Sequence, residues 1–111
     1  MLYALINTTG IHRLEIPEKL ELAQLQNLVG VEGEPAYIEY VRYQFSNPNI
    51  DLICDEEFLY KELPVTCITR TSIALRGQVI AAACTEEGET IRLTEAQFQL
   101  VAANLTMVII L

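Results

Sequence analysis

The chain is poor in the residues that most chemistry draws on. It holds one histidine, His12, three cysteines, Cys54, Cys67 and Cys84, and 7 Lys and Arg against 15 Asp and Glu, a formal net charge of −8. So few cations disfavour direct nucleic-acid binding, which relies on basic side chains displacing phosphate counterions, and disfavour an anionic membrane surface for the same reason. The cysteines form no CxxC pair and have no second histidine beside them, whereas a structural zinc site draws on paired ligands at short spacing. Three thiols is an odd number, which fits a reducing compartment better than a disulfide framework. The phosphate-loop, dinucleotide, nucleophile-elbow and zinc-protease patterns are all missing. No catalytic, cofactor-binding or metal-ligating residue is therefore expected, and no cofactor.

Longer signals are missing as well. The N-terminal stretch from Met1 to Ile16 has no basic start, long apolar core or small-residue cleavage site, so a secretory leader is not expected. The longest apolar-rich stretch, Phe98 to Leu111, is interrupted by Gln99, Asn104 and Thr106 and falls short of the roughly 20 residues that cross a bilayer. With no internal repeat and no interior linker, the expectation is one domain over residues 1–111, placed in the cytoplasm.

What is present is a globular composition, with 51% hydrophobic and 20% charged residues, enough to bury a core. Leu20 to Tyr43 reads as the structural centre. Within it Leu22, Leu25 and Val29, with Leu28 alongside, give one apolar helical stripe. Glu18 and Glu21 suit the first turn, and Gly30 suits the C′ position. Glu32-Gly33-Glu34-Pro35 is a loop. Ala36 to Phe45 then carries bulky groups on both alternating faces, which predicts an interior or helix-covered strand.

Before this stretch, Leu2–Ile6 and Ile11–Ile16 flank the turn Asn7-Thr8-Thr9-Gly10 and read as a hairpin. After it, Ser46-Asn47-Pro48-Asn49 is a turn, and Ile50 to Cys54 pairs back antiparallel. Val65 to Ser72 fits either a strand or an irregular loop. Gln78 to Cys84 follows, with Ala81 to Ala83 small enough for a helix to approach. Thr94 and Gln97 form a capping box for a helix over Glu95 to Ala103, with Phe98, Val101 and Leu105 as its stripe and Asn104 as C-cap. The tail Thr106 to Leu111 is an aggregation hazard as a bare edge, so it should be buried as a last strand or against a second subunit. Together these predict an α+β fold: a mainly antiparallel sheet with two short helices packed on one face.

Each group able to do chemistry has a plainer role. His12 lies in a strand, and a nucleophilic pair would need Cys54, Cys67 or Cys84 beside it. Cys54 and Cys84 sit in apolar runs and suit burial. The carboxylate clusters Glu32/Glu34, Asp55/Glu56/Glu57 and Glu86/Glu87/Glu89 fall in turns, where charge is readily solvated. Tyr37, Tyr40 and Tyr43 lack the flanking Lys and Arg of a base-stacking platform. Glu39 stands alone with Arg42 as charge inside the predicted core strand.

Leu22-x-x-Leu25-Gln26-x-Leu28-Val29-Gly30, followed by Ile38-Glu39-x-Val41, resembles the start of a family of small uncharacterised bacterial proteins carried by phages and plasmids, a domain of unknown function. Further matches are Asp55-Glu56-Glu57 ahead of Leu63-Pro64, Leu75-x-Gly77-x-Val79, and Leu93-Thr94-Glu95-x-Gln97. The chain departs from the family's pattern at Val31 and at Val65-Thr66. The resemblance implies a bacterial or phage-borne accessory protein and carries over no catalytic residue.

Two functions remain. The first is a non-enzymatic accessory or protein-interaction module of a mobile element, self-associating through Thr106–Leu111; a sharper form has the acidic surface mimic nucleic acid. The second is a small ligand-binding or enzymatic domain using Asp55/Glu56/Glu57 or Cys67 in a pocket near Val65 to Ser72.

Overall fold

The computed structural model describes residues 1–30 and 34–108. Leu2–Asn7 (β1) and Gly10–Glu15 (β2) form the expected hairpin, with Thr8-Thr9 as its two-residue turn and Asn7 opposite Gly10. The Asn7 side chain accepts a hydrogen bond from the Thr9 N–H (3.0 Å), and Gly10 takes a φ of 132°, a conformation that side-chain-bearing residues avoid. β1 also pairs with Val79–Cys84 (β7), which pairs with Ile50–Asp55 (β4), which pairs with Ile38–Val41 (β3). The sheet order is β2-β1-β7-β4-β3, every pairing is antiparallel, and Thr90–Ile91 (β8) pairs with β7.

The centre of the molecule is thus β7 and β4. Their burial explains the choice of residues. Ala81 and Ala83 face one side of the sheet and Ala82 the other, so small side chains let layers close in from both sides. Of the two positions expected for Ala36 to Phe45, interior or helix-covered, the strand takes the second, with Ile38 and Tyr40 packed on the cluster that holds α1. Only Ile38–Val41 is strand, it lies on the edge of the sheet, and Tyr43 takes a φ of 63° that ends it. Bulk on both faces reflects contact with two different packing layers and not a central position: Val41 packs on one core cluster, and Ile38 and Tyr40 on the other.

Those two clusters also correct the expected placement of the helices on one face. Leu25 and Val29 of Leu22–Val29 (α1) pack with Tyr3, Ile53, Ile80 and Ala82. Phe98 and Val101 of Glu95–Asn104 (α2) pack with Leu2, Ala4, Ile6, Leu52, Cys54, Val79 and Ala81. Neighbouring strand residues point to opposite faces, so the helices cover opposite sides of the sheet. The α2 side is completed by a small antiparallel sheet in the order β6-β5-β9, made of Ala74–Arg76 (β6), Val65–Ile68 (β5) and Thr106–Met107 (β9). Cys67 and Leu75 bring this sheet into the α2-side core.

Local chemistry sets the helix ends. Glu21 and Thr94 are the N-caps, each with a complete capping box. α1 starts at Leu22, so Glu18 lies outside its first turn and Leu22 is 58% exposed. The buried place falls instead to Leu20, whose N–H donates to the Tyr3 hydroxyl (3.0 Å). Gly30 has an ordinary φ of −69° and is required for space: a Cβ there would run into the backbone carbonyl of Glu34 and come within 2.9 Å of the Ala36 nitrogen. α2 is capped by Leu105, and the Asn104 amide donates back to the Leu100 carbonyl (2.8 Å).

Val65 to Ser72 becomes legible through its threonines. Buried Thr66 donates to the Gly77 carbonyl (2.9 Å), and the Thr69 hydroxyl accepts from the Ile73 N–H (3.1 Å). The tail begins as a last strand: Met107 pairs with Cys67, and the Val108 N–H donates to the Thr66 carbonyl (3.1 Å). Residues 109–111 of the expected association segment, and Glu32 and Gly33 of the expected loop, lie outside the described residues.

Candidate functional site

Large apolar side chains left in solvent mark the region around β3. Tyr37 is 69% exposed, Tyr43 72%, Leu59 64% and Tyr60 88%. Tyr37 and Tyr43 flank β3. Leu59 and Tyr60 stand on the turn Glu56–Glu62, which follows β4 and is tied to Tyr37 by the Glu56 N–H donating to its carbonyl (2.8 Å). Burying such side chains is worth roughly 1.5–3 kcal/mol each, so several left in solvent on the flanks of β3 and on the adjoining turn make this region the candidate site.

Among the described residues, β3 has a partner strand on one side only. In an antiparallel ladder the N–H and C=O of one residue point the same way, and successive residues alternate. The Tyr37–Glu56 hydrogen bond fixes the phase: Tyr37, Glu39 and Val41 bond toward β4. The N–H and C=O of Ile38 and Tyr40 therefore point outward, and no strand among the described residues pairs with them. The Arg42 carbonyl is already engaged by the Gln44 amide (3.0 Å).

Carboxylates lie on β3, in the segment before it and on the turn after β4. Glu34, Glu39, Glu56, Glu57 and Glu62 are all exposed. Asp55 is fully buried and fully used: one oxygen accepts the Glu57 N–H (2.8 Å) and the other the Lys61 ammonium (2.8 Å). Its hydrogen bond holds the Lys61 ammonium above its ordinary pKa, with Glu57 and Glu34 adding to the effect. Asp55 is thus the cap of the Glu56–Glu62 turn, while Glu56 and Glu57 face solvent. The three carboxylates do not converge on a cavity.

The other sequence candidates are dispersed. His12 is exposed on the hairpin, its Nε2 2.7 Å from the Thr9 hydroxyl and 3.2 Å from Asn7 Oδ1, with none of the thiols among its bonded partners. Cys54 and Cys67 are buried in the α2-side core, and burial pushes their thiols up to about 12 and about 11. A thiol held protonated is a poor nucleophile. Among the described residues no group of three His, Cys, Asp or Glu side chains is placed to hold a metal ion.

One group went unnoticed in the sequence. Asp51, in β4, is buried; its Oδ2 lies 4.0 Å from Arg42, and Oδ1 has no hydrogen-bond partner. Burial raises its carboxyl pKa, with Arg42 and the adjacent Cys84 thiol opposing. An aspartate inside an apolar run was the available signal. Cys84 also lines a cleft of about 380 Å³ with Lys19, Asn49, Ile91, Arg92 and Thr94. Lys19 is ion-paired there with Glu89, and burial raises the Cys84 thiol pKa.

Residues 4–106 match the family described as Domain of unknown function (DUF3846). The chain belongs to that family. No curated protein and no solved structure matched it.

Proposed function

We propose that this member of a family of unknown function is a single-domain, non-enzymatic accessory module of a bacterial mobile element, acting in the cytoplasm by binding another polypeptide at the β3 edge. The observation that carries this is the exposure of Tyr37 and Tyr43 on the flanks of β3, and of Leu59 and Tyr60 on the adjoining turn, beside a strand edge that no strand among the described residues pairs with. The negative charge supports a protein partner over nucleic acid. Engagement of Asp55 by Lys61 and the Glu57 N–H, and burial of Cys67, support the interaction reading over one that uses these two groups in catalysis.

Placing a photo-crosslinking aromatic residue at Tyr60 or Tyr37, and at the exposed Thr8 of the hairpin as control, tests the surface in the native host. One discrete adduct from Tyr60 and Tyr37, lost when Tyr43 and Leu59 are changed to Ser, is expected. Adducts of equal yield from Thr8, or an adduct indifferent to those changes, would overturn the assignment. Self-association through Thr106–Leu111 belongs to the same proposal but is separable from it. Sedimentation of the whole chain and of a chain ending at Val108 distinguishes them: a dimer lost only on shortening places association in the tail.

A further inference from the structure

We propose that the outer edge of β3 takes up an added strand, and that the strand it takes is a cationic, extended segment of another protein. The inference rests on the interaction role assigned above and adds its mode and the chemistry of its partner.

The mode follows from the backbone. Ile38 and Tyr40 each present an outward N–H and C=O, the repeat that one further antiparallel or parallel strand needs. Adding a strand to an open edge gains main-chain hydrogen bonds, and the side chains that alternate along it supply the specificity. The two sides of the added strand would meet different surfaces. On the α2 side stand Tyr37, Glu39 and Val41; on the α1 side stand Ile38, Tyr40 and Arg42, with the Arg42 guanidinium over the Tyr40 ring at 5.5 Å. The opposite edge of the sheet is less receptive. β2 carries Arg13, ion-paired with Glu15 and Glu95, so the carboxylates there are already engaged and offer less to a cationic strand.

The chemistry of the partner follows from charge. Glu34, Glu39, Glu56, Glu57 and Glu62 are exposed around β3. Arg42 is the exposed cation of the strand region, and Lys61 is committed to Asp55. A second copy of this chain fits poorly. A two-fold axis perpendicular to the sheet pairs residues of the same face, and the registers centred on Glu39 or Tyr40 set Glu39 opposite its own copy or diagonal to it. Like charges so placed repel, and each chain brings a net charge of −8. A segment alternating Lys or Arg with β-branched residues meets Glu39 with a cation on the α2 side and Ile38 and Tyr40 with apolar groups on the α1 side.

Two ten-residue peptides test this, one alternating Lys and Val and one alternating Glu and Val, together with the Lys peptide N-methylated at every second amide. Binding is read by fluorescence anisotropy, and the site by amide exchange in the full-length protein. The Lys peptide is expected to bind and to slow exchange at Ile38 and Tyr40, the Glu peptide to bind at least tenfold more weakly, as charge reversal demands, and the N-methylated peptide to lose the protection. Glu39→Lys should weaken the Lys peptide by roughly two- to fivefold, the scale of one cross-strand charge pair. Equal binding of the N-methylated peptide would overturn strand addition, and equal binding of the Glu peptide would overturn the charge assignment. Protection of Ile38 and Tyr40 that grows with protein concentration alone would identify a second copy as the occupant and overturn the proposal. Any of these outcomes leaves the crosslinking result at Tyr60 standing, so failure here is distinct from failure of the interaction role.

Discussion

Asp51 is the side chain whose position costs the protein most visibly. Its buried Oδ1 lacks a partner, and burial raises its carboxyl pKa above the ordinary range. A carboxyl with a folded pKa above its unfolded value of about 3.9 contributes to stability below that value, and the contribution is lost as pH rises through the folded pKa. Asp51→Asn, which removes the buried charge while keeping a side chain of the same shape, should therefore be more stable than the native chain near pH 7. The gap should close toward about pH 4, and urea midpoints across this range check it. A less stable variant at neutral pH would mean that the 4.0 Å approach to Arg42 outweighs the burial. Lys61 poses the opposite case, because it satisfies a fully buried carboxylate. Lys61→Met should cost about 3 kcal/mol, as when one partner of a buried ion pair is removed, and should release the Glu56–Glu62 turn to proteolysis.

At the scale of elements, much of the fold was legible. The hairpin turn, the Thr94–Gln97 capping box and the β3–β4 pairing all follow from local rules, since each depends on residues adjacent in sequence. What lay hidden depends on layers that assemble from distant parts. The alternation of β1, β4 and β7 between two cores cannot be read before the strand order is known, so the helices were expected on one face and are found on two. Ala81 to Ala83 carry little hydrophobic signal, yet they occupy the centre, and the aromatic Ala36–Phe45 run occupies the edge. The candidate site was legible only as residues. Tyr37, Tyr43 and Glu39 stood out, but their exposure follows from the edge position of β3. Leu22 gives the sharpest consequence. Leu22→Ser should change stability by less than about 0.5 kcal/mol, whereas Leu25→Ala, 2% exposed, should cost about 2–4 kcal/mol. Equal losses would mean that α1 presents its full leucine stripe to the sheet.

At the scale of the whole molecule, the negative charge is not spread evenly in its effects. Glu15 and Glu95 share Arg13, Glu89 pairs with Lys19, and Asp55 pairs with Lys61, while the carboxylates around β3 outnumber the cations there. The tail, which in isolation looked like an exposed apolar strand, is joined to β5 through Thr106–Val108. The first feature leaves β3 as an acidic strand edge flanked by the exposed Tyr37 and Tyr43. Native-state amide exchange of the free protein tests this claim most directly. Glu39 and Val41, whose N–H groups bond to β4, should exchange slowly, and Ile38 and Tyr40, whose N–H groups point outward, should exchange at least tenfold faster. Slow exchange at all four amides in the monomer would mean that the edge is already covered and would contradict the account.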